Sequence, residues 1–267
     1  MLISAVLGIL VGVILGLTGA GGGILAVPAL VAGMGWTMQQ AVPVALIAVA
    51  GAAAIGAVDG FRRRLVRYKA AMLMAVSGIP LVSLGIFVAH GLPQPALLAI
   101  FAAVMVLVAI RLFLQTQHSN QNEDIGDSKI GRLNPATGRF TWSLPTAVLL
   151  AAIGALTGFM TGLLGIGGGF VIVPMLRRFT NVSLHGIVAT SLLVIALVGT
   201  GGVVISVIQG KSIPLETAAF FTAATALGML FGRKAASHLA PRLIQRAFSF
   251  VLVVAALALL VKAAISP

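Results

Sequence analysis

The sequence has no cysteine and very few charged residues. Only five of its 267 residues are acidic, and charged residues of both signs make up 8% of the chain. Without cysteine the protein has no disulfide, no thiolate metal ligand and no cysteine nucleophile. A soluble domain uses about 25% charged residues because its surface faces water. The surface of this chain is therefore not mainly aqueous, which excludes a soluble globular protein.

Hydrophobic residues make up 60% of the sequence. A helix needs about 20 consecutive apolar residues to cross the hydrocarbon core of a bilayer. Runs on this scale recur along the chain and predict an all-α integral membrane protein with several crossings. They cover residues 2–33, 39–58, 70–89, 94–114, 145–176, 186–208, 215–232 and 243–265.

The formal net charge of +12 raises the question of a nucleic acid partner. However, the Lys and Arg residues lie between apolar runs and do not form a stripe with aromatic residues, as a nucleic acid-binding surface would. Membrane proteins retain Lys and Arg in cytoplasmic loops, which explains the same excess. The lipid bilayer is the expected partner, and nucleic acid is not.

A Gly-rich segment occurs twice. Residues 16–23 and 162–169 share the pattern Gly-Leu-x-Gly-x-Gly-Gly-Gly at an offset of 146 residues, and the same offset aligns Gly8 with Gly154, Gly12 with Gly158, and Pro28 with Pro174. This ungapped agreement predicts two transmembrane repeats, at 1–115 and 145–267. The intervening segment, 116–144, is rich in Gln, Asn, Ser and Thr and is predicted to be a polar cytoplasmic linker.

Loop charges predict how the repeats are related. If all eight apolar runs crossed, the 17 basic residues would divide 11 to 6 between the two sides. If each Gly-rich segment instead enters and returns to the same side, 15 lie inside and only Lys211 and Lys262 lie outside. The positive-inside rule favours the second arrangement. The repeats would then be inverted, with about four helices each and the first helix broken or re-entrant at the Gly-rich motif.

Six of the glycines recur every four residues, which favours close helix packing. They are Gly8, Gly12 and Gly16 in the first repeat and Gly154, Gly158 and Gly162 in the second.

The remaining motif glycines, four in each repeat, are too clustered for a regular packing ridge. Glycine lets the backbone leave the helical path and expose N–H groups. Such irregular backbone survives at membrane depth only in a protein interior or beside a water-filled cavity. The apolar segments that follow, 24–33 and 170–176, would begin with unpaired N–H groups and a partial positive charge. Paired helix breaks of this kind are typical of anion sites at the midplane of secondary transporters.

The paired motif, extended to the following proline, resembles the TauE/SafE family of sulfite and organosulfonate permeases. The segment His185-Gly186-Ile187-Val188-Ala189-Thr190-Ser191-Leu192 strengthens this resemblance, which covers nearly the whole chain apart from the linker. The resemblance implies outward transport of sulfite, a sulfonate or a related oxyanion across a bacterial inner membrane. It also implies no enzyme activity and no organic cofactor.

The first repeat departs from the family pattern. It has Gln39-Gln40-Ala41-Val42-Pro43-Val44-Ala45-Leu46 where a polar segment with His, Thr and Ser is expected. We therefore expect the second repeat to supply more side-chain contacts to the substrate.

Polar side chains in apolar spans are costly and are candidates for function. The hydroxyls of Thr190 and Ser191 can complete an oxyanion's shell or bond back to their own helix. His185 can donate to an anion, carry a proton or cap its helix, because histidine exchanges a proton near physiological pH. Thr18, Thr157 and Thr161 flank the breaks. The predicted substrate-binding residues are Thr18, Gly19, Gly21, Gly22, Gly23, Gly165, Gly167, Gly168, Gly169, His185, Thr190 and Ser191.

Other chemistry has less support in the sequence. No Asp or Glu lies centrally in an apolar run, so neither a carboxylate metal site nor a carboxylate proton relay is expected. Paired carboxylates, His-Glu-x-x-His and Gly-x-Ser-x-Gly are absent, which argues against an intramembrane enzyme. A passive anion channel stays open as an alternative, because the same helix ends would serve it. The sequence also leaves open the identity of the substrate, the coupling ion and the formation of a homodimer.

Overall fold

The computed structural model describes residues 2–19, 21–117, 131, 142–210, 214–236 and 238–265. The predicted linker, 116–144, lies mostly outside the described residues. The ten α-helices of the described part are α1 Leu2–Thr18, α2 Ala26–Met34, α3 Met38–Arg62, α4 Tyr68–Gly91, α5 Gln94–Gln117, α6 Leu144–Leu164, α7 Gly169–Phe179, α8 Leu184–Ile208, α9 Leu215–Ala236 and α10 Pro241–Ile265. A short 3-10 helix, Gly22–Leu25, precedes α2. The all-α prediction is confirmed.

Seven of the described helices are long and apolar enough to cross a membrane, namely α3, α4, α5, α6, α8, α9 and α10. Helix α1 and the segment Gly22–Met34 are shorter apolar helices. Large apolar side chains lie on the outside of the bundle, and Phe87, Phe231 and Phe250 are 75%, 68% and 70% exposed. Such an apolar exterior suits lipid and not water. The protein is therefore a multi-pass membrane protein.

The two central helices, α3 and α8, begin and end at matching positions. Adding the offset of 146 residues to the limits of α3 gives the limits of α8. Both helices also start after a hydroxyl cap, because the Thr37 side chain accepts from the Gln40 N–H and the Ser183 side chain accepts from the Gly186 N–H. Such caps satisfy backbone donors at a helix start. The aligned sequence positions therefore form equivalent helices.

Helices α3 and α8 run antiparallel through the centre of the bundle. A Cβ built on Gly60 would lie 2.9 Å from Ala189, near the start of α8. A Cβ built on Gly199, in the second half of α8, would lie 2.9 Å from Ala50. Because late residues of α3 meet early residues of α8, the two equivalent helices point in opposite directions.

Helix α1 packs against α9, and α6 packs against α4. A Cβ built on Gly12 would lie 2.1 Å from the Thr225 carbonyl oxygen, and one built on Gly158 would lie 2.0 Å from the Gly78 carbonyl oxygen. No side chain fits in either place. The packing role of these two regularly spaced glycines is confirmed, and Gly8, Gly16, Gly154 and Gly162 make similarly close contacts.

Candidate functional site

The first break lies between α1 and the 3-10 helix. Gly19 has a φ of +74°, and a Cβ built on it would lie 2.6 Å from the Val188 side chain. A Cβ on Gly22 would lie 2.3 Å from Leu15 Cα, and one on Gly33 would lie 2.6 Å from the Leu7 side chain. Later residues therefore meet earlier residues of α1. The chain doubles back along α1 after the break.

The second break lies between α6 and α7. Its glycines Gly165, Gly167 and Gly168 have φ values of +72°, +72° and +68°. The left-handed region costs other L-residues about 1–2 kcal/mol. Gly168 is the N-cap of α7, and a Cβ built on it would lie 2.1 Å from Thr157 Cγ2. Glycine is therefore required here by both backbone conformation and space.

The two breaks meet at Val49, close to the middle of α3. Atom Val49 Cγ1 would lie 2.9 Å from a Cβ on Gly23 and 3.1 Å from a Cβ on Gly167. The Gly23 position also lies 3.2 Å from the Ile166 carbonyl oxygen. The backbones of the two breaks are thus neighbours, about halfway along α3.

Five backbone N–H groups at the second break have no acceptor among the described residues. None of the five consecutive residues from Ile166 to Phe170 donates its N–H to any described group. The first four of these residues are buried, and Phe170 is half-buried. Buried N–H groups almost always have a partner in folded proteins. The five N–H groups of this break lie at the start of the 11-residue helix α7, where the helix dipole is positive. This arrangement suits a bound anion.

A cavity of about 1250 Å³ reaches both breaks. Thr18, Gly19 and Gly21 line it at the first break, Gly169 lines it at the second, and His185 lines it at the exposed start of α8. The other predicted residues do not line this cavity: Gly22, Gly23, Gly165, Gly167, Gly168, Thr190 and Ser191.

The open part of the cavity is strongly basic. Its charged lining residues are Asp59, Arg62, Arg63, Arg111, Arg177, Arg233 and Lys234. Asp59 makes ion pairs with Arg63 and Arg233, so the one acidic side chain of this lining is already neutralised. A basic cleft raises the local concentration of anions.

Three of the predicted hydroxyl contacts have partners within the protein. Thr18 Oγ1 donates to the Ile14 carbonyl oxygen at 2.7 Å, and Ser191 Oγ donates to the Val188 carbonyl oxygen at 2.9 Å. Thr190 Oγ1 accepts from the Arg67 N–H at 3.0 Å, across the interface between α8 and the loop before α4. Of these three residues, only Thr18 lines the cavity.

Thr157 is distinguished by its surroundings in the fold. The sequence places both Thr157 and Thr161 beside the second break without separating them. Thr161 Oγ1 donates to the Thr157 carbonyl oxygen at 2.7 Å, whereas the buried Thr157 Oγ1 has no partner among the described residues. The sequence offers no signal that separates the two, because the residues at the offset of 146, Val11 and Leu15, both lack a hydroxyl.

The family described as sulfite exporter TauE/SafE matches residues 4–259. The chain belongs to the TauE/SafE family. The resemblance predicted from the paired Gly-rich motifs is thus confirmed, and the TauE/SafE match spans both breaks and all ten helices in whole or in part. No solved structure matches the chain.

Similar TauE/SafE-like proteins carry transporter names. The chain is 26% identical over 263 residues to the probable membrane transporter protein YjnA of Bacillus subtilis (strain 168), covering 94% of this chain and 95% of YjnA. It is 28% identical over 194 residues to a probable membrane transporter protein of Xylella fastidiosa (strain 9a5c), covering 71% and 67% of the two chains. It is 26% identical to YunE of Bacillus subtilis over 215 residues, covering 78% of each.

Proposed function

We propose that this protein is a secondary carrier that exports a small oxyanion, such as sulfite or an organosulfonate, across the inner membrane. The anion binds at the midplane, where the N-terminal ends of the two broken helices meet. The unpaired, buried N–H groups from Ile166 to Phe170 are the observation that carries this proposal. Neutral donors of this kind bind negative charge without a cationic side chain.

The antiparallel packing of α3 and α8 supports inverted repeats at 1–115 and 145–267. Equivalent helices that point in opposite directions are related by an axis in the membrane plane. The doubling back of the chain at Gly22 and Gly168 supports re-entrant first helices, and the position of Val49 within α3 supports a midplane site. A reporter active only in the cytoplasm, fused to the C-terminus, would be silent in this arrangement.

The cavities support a carrier over a passive channel. Val188 lines the large cavity. Val42, the residue that aligns with Val188 at the offset of 146, lines a cavity of only about 20 Å³ at the opposite end of the bundle. The site is therefore open toward one end and closed toward the other. A carrier alternates between two such states, whereas an open channel needs a continuous path.

The charge of the open cavity supports export. Six of its seven charged lining residues are basic, and the positive-inside rule assigns a basic end to the cytoplasm. An anion would then load from the cytoplasmic side.

Flux into proteoliposomes tests the proposal. The candidate substrates are the anions sulfite, sulfate, thiosulfate and sulfoacetate and the zwitterionic sulfonate taurine, ranked first by ligand-induced thermal shift. A carrier gives saturable flux and counterflow for at least one of them. Large conductance without counterflow would show a channel, and a lack of flux for all five would contradict the proposed function.

A further inference from the structure

Two buried hydroxyl groups of the described bundle have no partner, Thr157 Oγ1 and Thr222 Oγ1, and of these two residues only Thr157 is fully buried, since Thr222 is half-buried. Thr161, Ser206 and Thr225 each donate to the carbonyl oxygen four residues earlier in their own helix. Thr157 is 0% exposed, and its Oγ1 has no partner in the described part of the chain. Native proteins seldom leave a buried hydroxyl unpaired, because the lost hydration is not recovered. This group therefore needs an explanation from its position.

Thr157 lies against the start of α7. A Cβ built on the N-cap residue Gly168 would meet the Thr157 side chain at 2.1 Å. The five unpaired N–H groups, from Ile166 to Phe170, belong to the same turn of backbone. The neighbouring residues Leu156, Gly169 and Phe170 line the large cavity. The atom of Thr157 nearest to the Gly168 position is the methyl carbon Cγ2, and the unpaired hydroxyl is carried by the same Cβ. The unpaired hydroxyl and the unpaired amides therefore belong to residues in direct contact, next to residues that line the cavity.

We propose that Thr157 Oγ1 is a direct ligand of the transported anion, together with the N–H groups of Ile166 to Phe170. This inference rests on the proposed function and adds a residue and a location to it. The hydroxyl ligand belongs to the second break alone. The repeat equivalent of Thr157 is Val11, which is 2% exposed and has no hydroxyl, and the Thr18 hydroxyl already donates to Ile14.

The donor set also defines a class of substrate. Backbone N–H groups only donate hydrogen bonds, so they pair with oxygens that carry no proton. Sulfate and sulfonates meet this requirement. Hydrogen phosphate keeps an acidic O–H near neutral pH. That O–H is itself a hydrogen-bond donor and cannot pair with a backbone N–H. The amides therefore favour unprotonated forms, the sulfite dianion over bisulfite included, and the Thr157 hydroxyl is the one group of the set that can also accept.

Substitution of Thr157 tests this site with little change in shape. Thr157→Val removes only the hydroxyl, and Thr157→Ser retains it. Thr225→Val is the matched control, because its buried hydroxyl bonds within its own helix. Binding is measured by ligand-induced thermal shift with sulfite, sulfate, thiosulfate, sulfoacetate and taurine, and transport by proteoliposome flux. Phosphate is the protonated comparison anion.

Thr157→Val is expected to weaken binding of the best anion by about tenfold or more, the typical loss for a hydrogen bond to a charged group. Thr157→Ser restores binding, and Thr225→Val leaves it unchanged. The melting temperature of Thr157→Val without anion is not lowered, because the substitution removes an unpaired buried hydroxyl. A purely structural hydroxyl would lower that temperature and leave the anion affinity unchanged.

The outcomes separate this inference from the proposed function. Wild-type flux with unchanged affinity in Thr157→Val would overturn the Thr157 site and leave the carrier standing. A phosphate shift as large as the sulfate shift would overturn the selection for unprotonated oxyanions. Absence of binding and flux for all five candidate substrates in the wild type would overturn both proposals.

Discussion

The two Gly-rich breaks have the same glycine pattern and different backbones. In the first break Gly19 is in the left-handed region, whereas Gly21 has a φ of −79° and leads into a 3-10 helix. In the second break Gly165, Gly167 and Gly168 are all left-handed, and α7 starts directly. Glycine populates both signs of φ about equally well, so one pattern permits both conformations. The neighbouring side chains then decide which conformation forms.

This difference gives the halves unequal roles. The first break forms part of the cavity wall through Thr18, Gly19 and Gly21. The second break combines amides with a hydroxyl at Thr157, all of them without a partner among the described residues. In the proposed carrier the two repeats share their helix packing, and the hydroxyl ligand is found in the second only.

The largest expected effect concerns the packing that both halves share. Gly12→Leu and Gly158→Leu each place a side chain about 2 Å from a carbonyl oxygen of the neighbouring helix. Overpacking costs about 1–3 kcal/mol even where a core can adjust, and here the clash is with backbone. We expect both variants to lose most folded protein, as measured by monodispersity and thermal unfolding in detergent.

Gly91→Leu is the control for that pair, because a Cβ at Gly91 meets no atom within 4 Å. It should unfold at the wild-type temperature. Full tolerance of either Gly12→Leu or Gly158→Leu would contradict the symmetric packing of α1 on α9 and α6 on α4.

The next effect concerns the unequal cavities. The chain has no native cysteine, so single cysteines can be labelled without background. Val188→Cys lies in the large cavity and should react with a membrane-impermeant thiol reagent from the cytoplasmic side. Its equivalent, Val42→Cys, lies beside the cavity of about 20 Å³ and should stay unreactive without substrate. Equal labelling of both from opposite sides would indicate a continuous pore.

The smallest effect compares equivalent glycines of the two breaks. Gly167→Ala forces alanine to a φ of +72°, which should lower the free energy of unfolding by about 1–2 kcal/mol. Gly21 has an ordinary φ, and a Cβ built on it would lie 3.4 Å from the nearest atom, on the Phe248 ring, so Gly21→Ala should be nearly neutral. Thermal unfolding of both variants without anion measures the difference. Equal destabilisation would remove the backbone contrast between the breaks.

Much of the scaffold could be predicted from the sequence, because it depends on local patterns. Apolar runs indicated an all-α membrane protein. Glycines four residues apart indicated that α1 and α6 each pack closely against a neighbouring helix. The offset of 146 residues also identified α3 and α8 as equivalent helices. These features follow from hydropathy and periodicity, which are properties of short segments.

The candidate site was less predictable, because it depends on neighbours that are distant in sequence. The motif treats Gly22 and Gly168 alike, and only the fold shows which hydroxyl groups near the two breaks have partners. The hydroxyls of Thr157 and Thr161 are four residues apart on one helix, and only one of them has a partner. Hydrogen-bond satisfaction is a tertiary property and cannot be inferred from residue spacing.

The central claim is that an anion binds to unpaired amides at the second break. Selenite, a heavier analogue of sulfite, can be located by anomalous scattering in crystals of the protein. The account predicts one strong signal within hydrogen-bonding distance of Thr157 Oγ1 and the N–H groups of Gly167 to Phe170. A signal confined to Gly19–Gly23, or one confined to the arginines of the cavity, would contradict it.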